Sequence, residues 1–149
     1  MLTLSGERKP EAYLATKHFE GNSTFSPDGR WLAYQSDESG RSEIYVQGFP
    51  DPRGKWLISD GGGTNPVWRT DGKELFWVAP GNMLMAAGVE LWPSGVKAGR
   101  AEPLFRVPHE GRFQSARDGR RFLVQELEDE TQRQKPLVVE LNWASRLGK

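Results

Sequence analysis

"FSPDGRWLAYQS" (Phe25–Ser36) sets a Pro-Asp-Gly turn between apolar residues. Asp-Gly between two apolar runs is a strong hairpin signal, because glycine accepts the positive φ that a tight turn demands. The pair recurs as Asp71-Gly72 and Asp118-Gly119, so the three aspartates stand 43 and 47 residues apart. A short apolar segment precedes each pair: Thr24-Phe25, Val67-Trp68 and the region of Phe113. An apolar run follows each in the same register: Trp31–Tyr34, Leu75–Val78 and Phe122–Val124. Continuous runs, rather than strict alternation, indicate strands buried on both faces. A repeat of about 40–50 residues suits the four-stranded blades of a propeller.

The rest of the unit repeats as well. Third strands read "EIYVQGF" (Glu43–Phe49), "MLMAAGV" (Met83–Val89) and "PLVVELNW" (Pro136–Trp143); fourth strands read "KWLIS" (Lys55–Ser59) and "EPLFRV" (Glu102–Val107). The last unit has no fourth strand, while a lone candidate, "EAYLAT" (Glu11–Thr16), precedes the first. The expected fold is therefore all-β: one domain over 1–149, with blades at about 24–59, 67–107 and 113–143 and a spare strand at 11–16 to complete a last blade. No helix of useful length is visible. "DGGGTNP" reads as a connector between units, because a phosphate cradle needs a following helix N-terminus and Pro66-Val67-Trp68 follows instead as a strand.

Composition narrows the function classes. Lysine plus arginine equals aspartate plus glutamate, 20 against 20. Nucleic-acid binding needs excess positive charge to displace counterions, and a polybasic membrane anchor needs it too, so neither partner is expected. With no cysteine there is no disulfide, thiolate zinc site or Cys nucleophile. The N-terminal residues lack the apolar core of a signal peptide, and no run approaches the ~20 apolar residues of a membrane span. The 17 glycines, 10 prolines and 6 tryptophans fit short strands joined by tight turns.

"FSPDGRWLAYQSDESGRSEIYV" resembles the repeat of TolB-type, WD-like β-propellers. With "QGFPDPRGKWLISDGGGTNPVWRTDGKELFW" and the ending "VVELNWASRLGK", the chain also resembles the C-terminal part of the propeller sensor regions attached to bacterial receptor-type serine/threonine kinases. The second unit has Arg69-Thr70 where the first has Ser26-Pro27, and the third has Ala116-Arg117. The resemblance implies a propeller binding platform and an extracytoplasmic setting. It does not imply phosphoryl transfer, since no glycine-rich phosphate loop, His-Arg-Asp or Asp-Phe-Gly is present.

Asp28, Asp71 and Asp118 are read as turn caps that bond nearby backbone N–H groups, because they share one repeat position. Most tryptophans fall inside strands and are read as core between blades; Trp92, beside Pro93-Ser94-Gly95, is the one expected at the surface. The acidic stretch Glu126–Lys135 reads as an exposed hairpin loop. The histidines are the more informative pair. His18 and His109 both lie between a fourth strand and the next first strand, and both are closely followed by Glu-Gly. Such connections reach one face of a propeller ring near its channel. They would gather His18, Glu20, Asn22, Asp60, Asn65, His109, Glu110 and Arg112 there as candidate ligand-binding residues. The plainer alternative is a solvated polar rim. A divalent metal, if one binds, would use His18 or His109; no metal or other cofactor is expected.

The sequence thus points to a non-enzymatic binding or scaffold module for a protein or small ligand. The alternative is a hydrolase or lyase using His18 and His109 with Glu20 or Glu110. Three blades do not close a ring of ~4–8. A homodimer is expected, in which the strand at 11–16 completes the last blade of the partner copy.

Overall fold

The computed structural model describes residues 12–108, 112–125 and 139–140. Its unit is the hairpin announced by Asp-Gly. Gly29, Gly72 and Gly119 sit at φ 70, 72 and 66°. Their N–H groups donate to the carbonyls of Ser26, Arg69 and Ala116, each at 2.9 Å. The N–H groups of Ser26, Arg69 and Ala116 in turn donate to Trp31, Glu74 and Arg121 at 2.8, 2.9 and 2.7 Å. One loop geometry is therefore used three times. A side chain at the glycine would be strained, since L residues avoid this region.

Three antiparallel sheets follow, and the described residues hold no helix. The first pairs β1 (Glu20–Phe25), β2 (Trp31–Ser36), β3 (Glu43–Gly48) and β4 (Trp56–Leu57) in order. The second pairs β5 (Thr64–Trp68), β6 (Glu74–Ala79) and β7 (Met83–Trp92). Strand β7 is ten residues long and has two partners. Its first half pairs with β9 (Glu102–Arg106), and its second half with β8 (Gly95–Ala98). The third pairs β10 (Phe113–Ser115), β11 (Phe122–Val124) and β12 (Val139–Glu140).

The sheets stack through apolar faces. Alternate residues of a strand point to opposite faces, and β6 shows what that achieves. Leu75 and Trp77 enter a core shared with Trp31, Ala33, Ile44 and Val46 of the first sheet. Phe76 and Val78 enter another, shared with Phe113, Phe122 and Val124 of the third. Phe76 meets Phe122 edge-on, with centroids 5.0 Å apart. The first strands β1, β5 and β10 lie beside one another, so the sheets fan out from a common inner edge. Neighbouring turns also pack: a β-carbon on Gly119 would meet Arg69 Cδ at 2.5 Å, and the Thr70 hydroxyl donates to the Arg117 carbonyl at 2.7 Å.

Several elements differ from expectation. β1 begins at Glu20, earlier than Thr24, and β4 is confined to Trp56–Leu57. β8 was not foreseen. The expected strand at Glu11–Thr16 is not a strand over its described residues, Ala12–Thr16. Instead Tyr13 and Leu14 pack on Leu32, Tyr34 and Tyr45, and the Tyr13 hydroxyl donates to the Gly48 carbonyl. Burial raises the Tyr13 hydroxyl's pKa, and the Asp51 carboxylate adds to that shift. The acidic stretch at 126–135 and Trp143 lie outside the described residues.

Candidate functional site

The turn aspartates are occupied by their own turns. Asp28 accepts the Ser26 hydroxyl at 2.5 Å and the Arg30 N–H at 3.1 Å. Asp71 accepts Arg69 Nε and an Nη, both at 2.7 Å, and the Lys73 N–H at 3.0 Å. Asp118 accepts the Arg120 N–H at 3.0 Å. Burial pulls the Asp28 carboxyl upward, but the Ser26 hydroxyl and Arg30 amide outweigh it and the net shift is downward. The Arg69 guanidinium, helped by the Lys73 amide, holds Asp71 at about 2. The Arg120 amide lowers Asp118.

At the other end of the first strands the repeat builds something different. β1 and β5 each carry a bulge, between Gly21 and Thr24 and between Thr64 and Val67. Inside each bulge is an asparagine in the left-handed region, Asn22 at φ 48° and Asn65 at φ 53°. Asparagine is among the few non-glycine residues that tolerate this conformation. Each stands six residues before its turn aspartate, and Arg112 stands six before Asp118. The Arg112 carbonyl accepts the Gln125 N–H at 3.0 Å, which ties it to the third sheet.

These three residues line two adjoining cavities at the inner edge. One, of about 560 Å³, adds Gln35, Arg41, Ser42 and Asn82. The other, of about 590 Å³, adds Val67, Phe113, Gln114, Leu123 and Gln125. Among the described residues, no aspartate or glutamate lines either. Asn22 Nδ2 donates to Gln35 Oε1 at 2.9 Å, and Gln35 Nε2 donates to the Ser42 hydroxyl at 3.1 Å. Arg41 Nε is committed to Glu43 Oε1 at 2.5 Å. Arg112 has no ion-pair partner among the described residues.

The other expected site residues are elsewhere. His18 Nδ1 lies 3.6 Å from Asp37, and Glu20 accepts the Thr16 hydroxyl at 2.5 Å. Neither lines the two cavities, and nor does Asp60. His109 and Glu110 lie outside the described residues. Among the described residues no group of three or more His, Cys, Asp or Glu could hold a metal ion.

Sequence reasoning missed Glu43. The residue is 1% exposed. It accepts Arg41, the Ser59 hydroxyl and the Gly62 N–H, the last at 3.0 Å from both oxygens. It thereby anchors the glycine-rich connector below the cavities. Gly62 is at φ 109°, and a β-carbon on Gly63 would meet Ile44 Cγ1 at 2.7 Å, so the run of glycines is needed for close approach. A further cavity of about 760 Å³ opens at the opposite, turn end, between Asp28, Asp71, Lys73, Glu90 and Lys97.

The arrangement matches solved structures. TolB from Acinetobacter baumannii aligns with a TM-score of 0.55 at 20% identity, over 71% of this chain and 26% of TolB. The fold is that of a β-propeller. Acylaminoacyl peptidase from Pyrococcus horikoshii aligns with a TM-score of 0.49 at 20% identity, over 76% of this propeller chain and 18% of the peptidase. The propeller chain thus spans about a quarter of TolB's length. No known protein family and no curated protein matches its sequence.

Proposed function

We propose that this propeller is a non-enzymatic binding module that takes a ligand at the inner-edge cavities, the mouth of the propeller channel. The carrying observation is the shared placement of Asn22, Asn65 and Arg112, one residue per sheet at one repeat position, on the walls of the same two cavities. Cavities of this size suit small ligands. A hydrolase or lyase would need histidine and carboxylate presented together to a substrate. His18 and Glu20 line neither cavity. The sequence's similarity to the sensor regions of receptor-type kinases agrees with binding as the task. We further propose that two copies complete the ring.

A small-molecule screen read by amide chemical shifts tests the binding site. Bound compounds should move the resonances of Asn22, Asn65 and Gln125. Hits that move only residues around the turn-end cavity, such as Gly72 and Gly88, would relocate the site and overturn the reading.

A further inference from the structure

We infer that the ligand is an organic anion with an apolar body, its charged group taken by Arg112; the inference rests on the binding-module reading. Three observations converge on this class. First, the position that is asparagine in two sheets is arginine in the third. Second, among the described residues the Arg112 guanidinium has no carboxylate partner and no acid lines either cavity. Guanidinium is a planar fork of donors that matches carboxylate and phosphate oxygens. Third, the walls differ in chemistry. The cavity toward the third sheet adds Pro66, Val67, Phe113, Leu123 and Val124. The one toward the first sheet adds Gln35, Ser42 and Asn82. Arg112 belongs to both linings. Leu123 is 41% exposed, so apolar surface is still open to contact. An anion seated at Arg112 can lay an apolar body on Val67 and Leu123 and turn its polar edge toward the amides.

Titration calorimetry with N-acetylphenylalanine and N-acetylphenylalaninamide separates the parts. The two probes share one body and differ in one charge. The acid should bind at least about tenfold more tightly than the amide, as expected for hydrogen bonds to a charged group. Arg112→Gln should bring the two probes within about twofold, while Arg112→Lys keeps part of the difference. Arg100→Gln, an exposed arginine outside both cavities, should leave it unchanged. Equal binding of acid and amide, or a preference that survives Arg112→Gln, overturns the inference. If equal binding still moves the Asn65 and Gln125 resonances, the anion is discarded and the binding module stands. No heat from either probe discards the apolar-anion class and leaves the module to its own screen.

Discussion

Asp71 is held by its own turn, and that makes it a pH-sensitive element of stability. Its carboxyl lies at about 2, below the ~3.9 of an unfolded chain. A depressed folded-state value stabilises the native state above the unfolded value, and that stability is lost as pH falls through the folded one. The window is therefore about pH 4 down to about pH 2. Asp28 and Asp118 act in the same direction. The effect per residue is small, because exposed pairs are screened by solvent. Urea midpoints measured across this window should fall with acid in the parent and fall less in Asp71→Asn; equal slopes would show that the turn pair contributes nothing. The structural role of these aspartates was legible because three of them share one setting. Glu43 was not legible, since its partners Ser59 and Gly62 are 16 and 19 residues away and leave no spacing signature. Arg112 was legible as polar. Its kinship with Asn22 and Asn65 was masked by grouping all three with His18 and Glu20, which line neither cavity.

β6 is the element whose reading depended least on context. Four successive apolar residues after a turn left little choice but a strand buried on both faces, and Leu75 to Val78 are all buried. Phe76, 1% exposed, packs on Phe122 and should cost about 3–5 kcal/mol when cut to alanine. Chemical denaturation measures it; an unchanged midpoint would contradict the buried aromatic pair. β8 is hard to see because Pro93-Ser94-Gly95 after Trp92 has the composition of a surface loop. Trp92 is indeed 42% exposed, but Val89–Trp92 pairs with Gly95–Ala98 around that turn. The alternation of Val89, Glu90 and Leu91 against Val96, Lys97 and Ala98 was the available signal. The segment at 12–16 was harder. "EAYLAT" has the composition of a strand, yet whether such a segment pairs or packs sideways depends on which edges lie within reach.

At the scale of the whole molecule, the two ends of the stack matter most. On the first sheet Phe25 pairs with Leu32 and Leu57 with Tyr45, so these side chains share the outward face. Tyr13 and Leu14 shield part of it, while Phe25 and Leu57 remain 52% and 53% exposed. On the third sheet Phe122 and Val124 point into the core, and Leu123 lines the inner-edge cavity. The apolar face left open on the first sheet suits a ring closed by a second copy. Light scattering should give twice the chain mass, and removal of residues 1–16 should abolish the dimer. A monodisperse monomer of the intact chain at micromolar concentration would overturn dimeric closure and favour a ring drawn from a longer chain. The stacking of sheets was readable because the repeat period encodes it; the manner of closure is not encoded in any one unit. The placement of Asn22, Asn65 and Arg112 has a consequence of its own. The chemistry of the inner wall is spelled one letter per sheet, always at the sixth place before the turn. None of these letters supplies an apolar side chain to either core between the sheets. The wall can therefore be respelled freely at Arg112, and at Asn22 and Asn65 by glycine or the few side chains that accept the left-handed region, while the framework that displays it stays as it is.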